Sequence, residues 1–207
     1  MKKLLVLGAA GRTGSEVVAQ AVAAGYSVTA FVRKEDNLEA LKEKVTVFVG
    51  DATNEKDLAK ALKGKDAVIS TLGPTKPGDT VVSVATGLLI KTARQEKVQR
   101  VIMMSSFLAI DRFKPNPIVK FALQLMNGIV SHFLSAEKQF ATSGLDYTIV
   151  YATRLTNEAL NSNYRVVPLD QTVGAGDHIS RANVAEYLVK QIDDPTYVRS
   201  GVLITDD

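Results

Sequence analysis

Short aliphatic runs alternate with longer segments whose apolar residues recur at helical spacing, and this alternation dominates the first half of the chain. It is the pattern of βαβ units feeding a parallel sheet. The runs predict strands over Lys3 to Leu7, Ser27 to Val32, Val45 to Val49, Ala67 to Thr71 and Arg100 to Met104, with helices filling the intervals. Val17, Val18, Ala21, Val22 and Ala24 mark one face of a helix from Gly14 to Ala24. Gly25 follows it, a residue that readily takes the left-handed conformation past a helix end. Asn54 is placed to cap a helix reaching Leu62, with Gly64 ending it, and Asp79 or Thr80 to start one reaching Glu96. Leu4 to Leu7 and Val101 to Met104 are nearly continuous in aliphatic and thioether side chains, as strands covered on both faces are. Right-handed crossovers then put helices on both faces.

The second half is less regular. Pro115 and Pro117 punctuate a loop, a helix is expected from about Ile118 to Thr142, and Ser143-Gly144 ends it. Tyr147 to Tyr151 reads as a sixth strand, Tyr164 to Val167 as a short one, Ser180 as the cap of a helix to about Ile192, and Val202 to Thr205 as a last strand. The fold class expected is α/β: a Rossmann-like, doubly wound parallel sheet in three α/β/α layers. It forms a single domain over 1–207, with a small C-terminal extension over the substrate cleft. The length of 207 residues fits one core.

Composition narrows the function. Apolar residues make up 46% and charged residues 23%, too apolar for a disordered chain. The formal net charge is +3, with no basic stripe, so nucleic acid gains no support as a partner. The absence of Cys excludes a disulfide framework, a thiolate metal site and a Cys nucleophile. Lys2 and Lys3 precede an apolar run too short for a signal-peptide core, and no stretch approaches the ~20 apolar residues of a membrane span. A cytoplasmic protein with no membrane partner is expected. The two histidines, His132 and His178, lie far apart with no carboxylate at ligand spacing, so no metal is expected.

Candidate chemistry begins where the first strand ends, at Gly8-Ala9-Ala10-Gly11-Arg12-Thr13-Gly14. A glycine-rich turn between strand and helix allows a tight bend and close approach to a pyrophosphate, and the helix N-terminus presents unpaired N–H groups. Gly8, Ala10, Gly11, Thr13 and Gly14 are the candidate cradle, with Arg12 as a nearby cation. The spacing is GxxGxxG rather than GxGxxG, so a turn that merely needs small residues is the alternative. Past the second strand, where an acidic residue would take the ribose hydroxyls of NAD, stand Arg33 and Lys34. A guanidinium there suits the extra phosphate of NADP(H), whereas a carboxylate would repel it. The alternative is a solvated basic pair neutralised by Glu35 and Asp36. Asp51 and Ala52 after the third strand, and Thr71, Leu72, Gly73 and Pro74 after the fourth, complete the set, although Asp51 is equally suited to capping a turn.

Taken in order, GAAGRTG, VGDA (49–52), KDAVISTLG (65–73), VIMMSS (101–106), SGLDYTIV (143–150) and ISRANVAEYL (179–188) resemble the NmrA-like group of atypical short-chain dehydrogenases/reductases. Within it, the chain is similar to the biliverdin-IXβ reductase/flavin reductase family. The resemblance implies an NADP(H)-binding fold that reduces a small planar acceptor such as a flavin, with FMN a substrate rather than a prosthetic group. A tetrapyrrole or quinone is the other acceptor class. It also implies that Ser106, with Ser105 beside it, lies next to the nicotinamide and serves catalysis. A strand-end serine satisfying local backbone groups is the alternative for Ser106.

The Tyr-x-x-x-Lys pair of typical short-chain dehydrogenases is absent, and Tyr151, Ala152 and Thr153 stand where the family has Arg-Pro-Gly at the nicotinamide wall. Phe107, Phe113 and His132 are candidates for the acceptor pocket, and Phe121, Met126 and Phe133 are further apolar candidates, with core packing as the alternative. His132 is also a conceivable general acid. Arg112 and Lys114 are candidates to attract an acceptor's phosphate or propionate. A monomer or weak homo-oligomer is expected. The rival function is a redox-sensing regulatory protein of the NmrA type that holds NADP(H) without turnover.

Overall fold

In the first strand, Leu4, Leu5, Val6 and Leu7 are all buried, and successive side chains enter two different cores. The computed structural model describes residues 1–34, 42–76, 79–110, 127–171, 173–174 and 176–207. Leu5 and Leu7 pack on one side of a sheet and Leu4 and Val6 on the other, so helices must cover both faces to keep the strand dry. Each such aliphatic side chain contributes roughly 1.5–3 kcal/mol when fully buried.

The strands are β1 (Lys3–Leu7), β2 (Ser27–Val32), β3 (Thr46–Val49), β4 (Ala67–Ser70), β5 (Arg100–Ser106), β6 (Asp146–Ala152), β7 (Arg154–Thr156), β8 (Tyr164–Val167), β9 (His178–Ser180) and β10 (Ser200–Asp206). Eight of them form one sheet in the order β3-β2-β1-β4-β5-β6-β10-β8. All neighbours pair in parallel except β8, which runs antiparallel to β10 and makes the sheet mixed at one edge. The helices are α1 (Arg12–Ala23), α2 (Glu55–Leu62), α3 (Val81–Gln95), α4 (Asn127–Ala141) and α5 (Arg181–Lys190). Side chains of α2, α3 and α4 fill one core and those of α1 and α5 the other, which completes three layers. The strand order reverses between β1 and β4, and in such sheets the crevice outside the carboxyl ends at that point takes the ligand.

The capping residues expected from the sequence do their work. Asn54 Oδ1 accepts the N–H groups of Lys56 (2.9 Å) and Asp57 (3.3 Å), and Ser180 Oγ accepts that of Asn183 (3.0 Å). Each cap is worth about 1 kcal/mol. Strand ends differ from expectation where polar residues stay in the ladder. β5 runs two residues beyond Met104 because Ser105 and Ser106 still pair with Tyr151 and Ala152. β7 and β9 were not expected at all; they are three-residue strands, paired with each other in a small separate sheet. The expected loop at Pro115 and Pro117 and the first part of the helix from Ile118 lie outside the described residues. Among the described residues no helix is long and apolar enough to cross a membrane.

Candidate functional site

The turn after β1 is built by contacts that leave no space for side chains. Gly8 has a φ of +78°, and its carbonyl oxygen accepts the Gly11 N–H at 2.9 Å. A Cβ on Gly14 would stand 2.0 Å from that same oxygen, so α1 rests directly on the turn only because residue 14 is glycine. Thr71, just past β4, locks the turn from the other side: its N–H and its hydroxyl both donate to the Leu7 carbonyl at 3.0 Å. The consequence is a helix whose first turn is aimed by backbone packing. Gly11 is its N-cap, no side chain caps it, and no acidic residue sits in its first turn. Such an end carries unpaired N–H donors and partial positive charge.

That turn forms part of the wall of a cavity of about 470 Å³. Of the residues expected to hold a cofactor, Gly8, Ala10, Gly11, Arg33, Asp51, Ala52, Thr71, Leu72 and Gly73 line it together. These come from the ends of β1, β2, β3 and β4, which the parallel order brings to one edge. Arg33 is exposed and engages no hydrogen bond or ion pair among the described residues, and Lys34 is exposed beside it. Glu35 and Asp36, the expected neutralising pair, lie outside the described residues. Asp51 has one oxygen committed to a turn, accepting the Thr53 N–H at 2.8 Å and hydroxyl at 2.7 Å. Those two bonds hold its carboxyl below the usual range, and the Arg33 charge adds to the effect. The residues present therefore fit a phosphorylated dinucleotide: an uncapped helix end for a pyrophosphate and an exposed guanidinium for a further phosphate.

Other expected site residues are placed differently. Thr13 and Gly14 are buried in the first turn of α1, Arg12 is exposed near Arg181 at the start of α5, and Pro74 follows the lining loop; none of them lines the cavity. Ser105, expected at the cofactor, turns its hydroxyl away to Glu137 of α4 and is 2% exposed. Tyr151 is buried and donates to the same carboxylate, while Thr153 is buried against Thr205. Alternation along β5 and β6 puts Ser105 and Tyr151 on one face and Ser106 and Ala152 on the other. Ser106 is half-buried; its oxygen accepts the Leu108 N–H at 3.3 Å, starting a 3₁₀ turn over Phe107–Ala109, and its hydroxyl has no acceptor among the described residues. Phe107 packs against the core under α3 and α4. His132, expected in the acceptor pocket, instead pairs with Ser83 across the α3–α4 contact at 3.1 Å. Phe133 is a core residue. Phe113, Arg112, Lys114, Phe121 and Met126 lie outside the described residues.

A family model for NAD(P)H-binding proteins matches residues 8–195. The chain belongs to the NAD(P)H-binding family. It is an atypical short-chain dehydrogenase/reductase of the NAD(P)H-binding kind. It is 31% identical over 206 residues to an uncharacterized chloroplastic protein of Arabidopsis thaliana, covering 92% of this chain and 72% of that one. To a phenylcoumaran benzylic ether reductase of Nicotiana tabacum it is 26% identical over 221 residues, covering 98% of this chain and 68% of that one. Its fold matches an anaerobillin reductase of Escherichia coli O157:H7 with a TM-score of 0.81 at 23% identity, over 99% and 97% of the two chains. A short-chain dehydrogenase/reductase of Veillonella parvula in complex with NADP gives 0.81 at 23%, over 98% and 94%. At these identities the structural matches speak for the fold alone.

In this NAD(P)H-binding chain the sequence pattern did not reveal two parts of the site. Phe31, stacked on Phe48 with ring centroids 5.3 Å apart, forms part of the cavity wall although it read as a strand residue only. Thr75, Asp79, Thr80 and Val81 form another part of the cavity wall. Asp79, expected only as a helix start, ties that wall together by accepting the Thr75 N–H (2.9 Å) and hydroxyl (2.7 Å) and the Val81 N–H (3.0 Å). Folding also gathers Glu158, His178 and Asp206 within 4.8 Å, which their spacing in sequence did not suggest. Both oxygens of Asp206 there serve α5, accepting the Ser180 N–H and the Asn183 amide.

The bonds to Asp79 lower its pKa from 3.8 to about 2. A depressed carboxylate contributes stability above its unfolded value and loses it as pH falls through the folded one. In urea unfolding, the stability gap between wild type and Asp79→Ala is expected to narrow as pH drops from 3.8 toward about 2. A gap that stays constant through that window removes Asp79 as the tie of this wall.

Proposed function

We propose that the protein is an NADPH-dependent reductase, acting in the cytoplasm, that passes hydride from the nicotinamide to a planar acceptor, a flavin such as FMN being the first choice and a tetrapyrrole or quinone the next. The observation that carries this reading is the pairing, around one cavity, of an uncapped, acid-free helix end with an exposed Arg33 that engages no hydrogen bond or ion pair among the described residues. The match to an NAD(P)H-binding family and a relative named as a reductase support it.

Bound NADPH supplies the hydride, and the accompanying proton comes from solvent. The chain's own residues bind, orient and exclude water. The backbone of the Gly8–Gly14 turn takes the pyrophosphate, Arg33 takes the additional phosphate in a charge-assisted contact, and Asp51 retains one oxygen for the adenine amino group. Ser106, at the end of β5, would donate a hydrogen bond to the acceptor or the carboxamide and hold the two reactants in line, its proton staying on the hydroxyl. No Tyr-x-x-x-Lys pair is needed for this chemistry, because a planar acceptor takes the hydride without a strong acid.

Arg33→Asp is expected to weaken NADPH binding by at least ~10-fold while sparing NADH, measured by titrating both cofactors. An unchanged preference removes the phosphate contact. Ser106→Ala is expected to retain NADPH affinity and lose turnover with FMN by ~10-fold or more; full activity reduces Ser106 to a turn residue. An enzyme that binds NADPH yet oxidises it with no flavin, quinone or linear tetrapyrrole would favour a redox-sensing role instead.

A further inference from the structure

The carboxyl ends of β5 and β6 hold a side-chain cluster outside the cofactor cavity. Ser105 and Tyr151 are register partners, so their side chains leave the same face of the sheet side by side. Glu137 of α4 meets both. Ser105 Oγ donates to Glu137 Oε1 at 2.9 Å, and the Tyr151 hydroxyl donates to Oε2 at 2.8 Å. One carboxylate therefore ties two neighbouring strands to the helix above them, one pair before the ladder ends. The last pair is Ser106 and Ala152, after which the chains part into the 3₁₀ turn and toward β7.

A glycine shows that this arrangement is built rather than incidental. A Cβ on Gly201 of β10 would stand 2.7 Å from Tyr151 Cε2, so the ring lies over a position that glycine keeps open. Gln139, two residues beyond Glu137 on α4, donates to the Ser83 carbonyl of α3 at 3.2 Å and ties the two helices together. Ser105 and Tyr151 are 2% and 7% exposed, so losing the carboxylate would leave two dry hydroxyls without this acceptor.

We propose that Glu137 is a positioning residue for hydride transfer, fixing the ends of β5 and β6 so that Ser106 and the chain beyond Ala152 stand in register with the nicotinamide. The proposal rests on the reductase reading of the same crevice. Glu137 acts through the two strands, by its bonds to Ser105 and Tyr151. The role is distinct from that of the absent Tyr-x-x-x-Lys pair, since no proton passes through it.

The test uses the full chain with NADPH and three variants: Glu137→Gln, Tyr151→Phe and Gly201→Ala, the last pushing the Tyr151 ring from the opposite side. Cofactor affinity, kcat and KM with FMN, and amide hydrogen exchange of segments 103–108 and 150–155 in the NADPH complex are measured. Glu137→Gln is expected to keep NADPH affinity within about threefold, to lower kcat by ~10-fold or more, and to speed exchange at both strand ends. Tyr151→Phe and Gly201→Ala are expected to follow in the same direction, and they decide the matter if Glu137→Gln fails to fold. A lowered Tm with kcat per folded molecule and local exchange unchanged overturns the proposal, leaving Glu137 a stability residue. If the wild type itself oxidises no NADPH with any acceptor, the reductase reading fails and the positioning role for hydride transfer falls with it; a wild type that turns over while the variants keep its kcat and exchange overturns the positioning role alone.

Discussion

The contact on which the rest depends is backbone against backbone: α1 rests on the carbonyl of Gly8 because residue 14 has no side chain. A single methyl group there would collide with that oxygen, and the helix would have to move off the end of β1. Thr71 clamps the same turn from β4 with two bonds to the Leu7 carbonyl. The N-terminus of α1 is thereby set at the end of β1, where its N-cap Gly11 lines the cavity and no side chain caps it. Arg33 at the end of β2 and Asp79 before α3 line the same cavity.

The division of labour between the two halves of the edge follows from the strand order. Where β1, β2, β3 and β4 end, small residues and an exposed guanidinium line a cavity. Where β5 and β6 end, the hydroxyls of Ser105 and Tyr151 turn inward to a carboxylate.

Much of the first half was legible in the sequence because it depends on local rules. The aliphatic run of β1, the glycines after it, Asn54 and Ser180 as caps and Arg33 at a strand end each need only a few neighbouring residues to be understood. What was not legible depends on contacts between distant segments. Ser105 looked like a cofactor contact because it neighbours Ser106, yet strand alternation sends the two to opposite faces, and only the position of α4 shows where Ser105 points. Glu137 reads as one more polar position on a helix until the β5–β6 register sets two hydroxyls beneath it. His132 looked available for chemistry and is engaged with Ser83 instead. β7 and β9 carry too few apolar residues to announce themselves, and they form because each supplies the other's ladder.

The most direct test of the account is a crystal structure of the protein with NADP⁺ bound. It is expected to show pyrophosphate oxygens within hydrogen-bond reach of the backbone N–H groups at the start of α1, and the adenosine 2′-phosphate on the Arg33 guanidinium. A dinucleotide bound away from the Gly8–Gly14 turn, or a 2′-phosphate pointing into solvent with Arg33 unengaged, would contradict it.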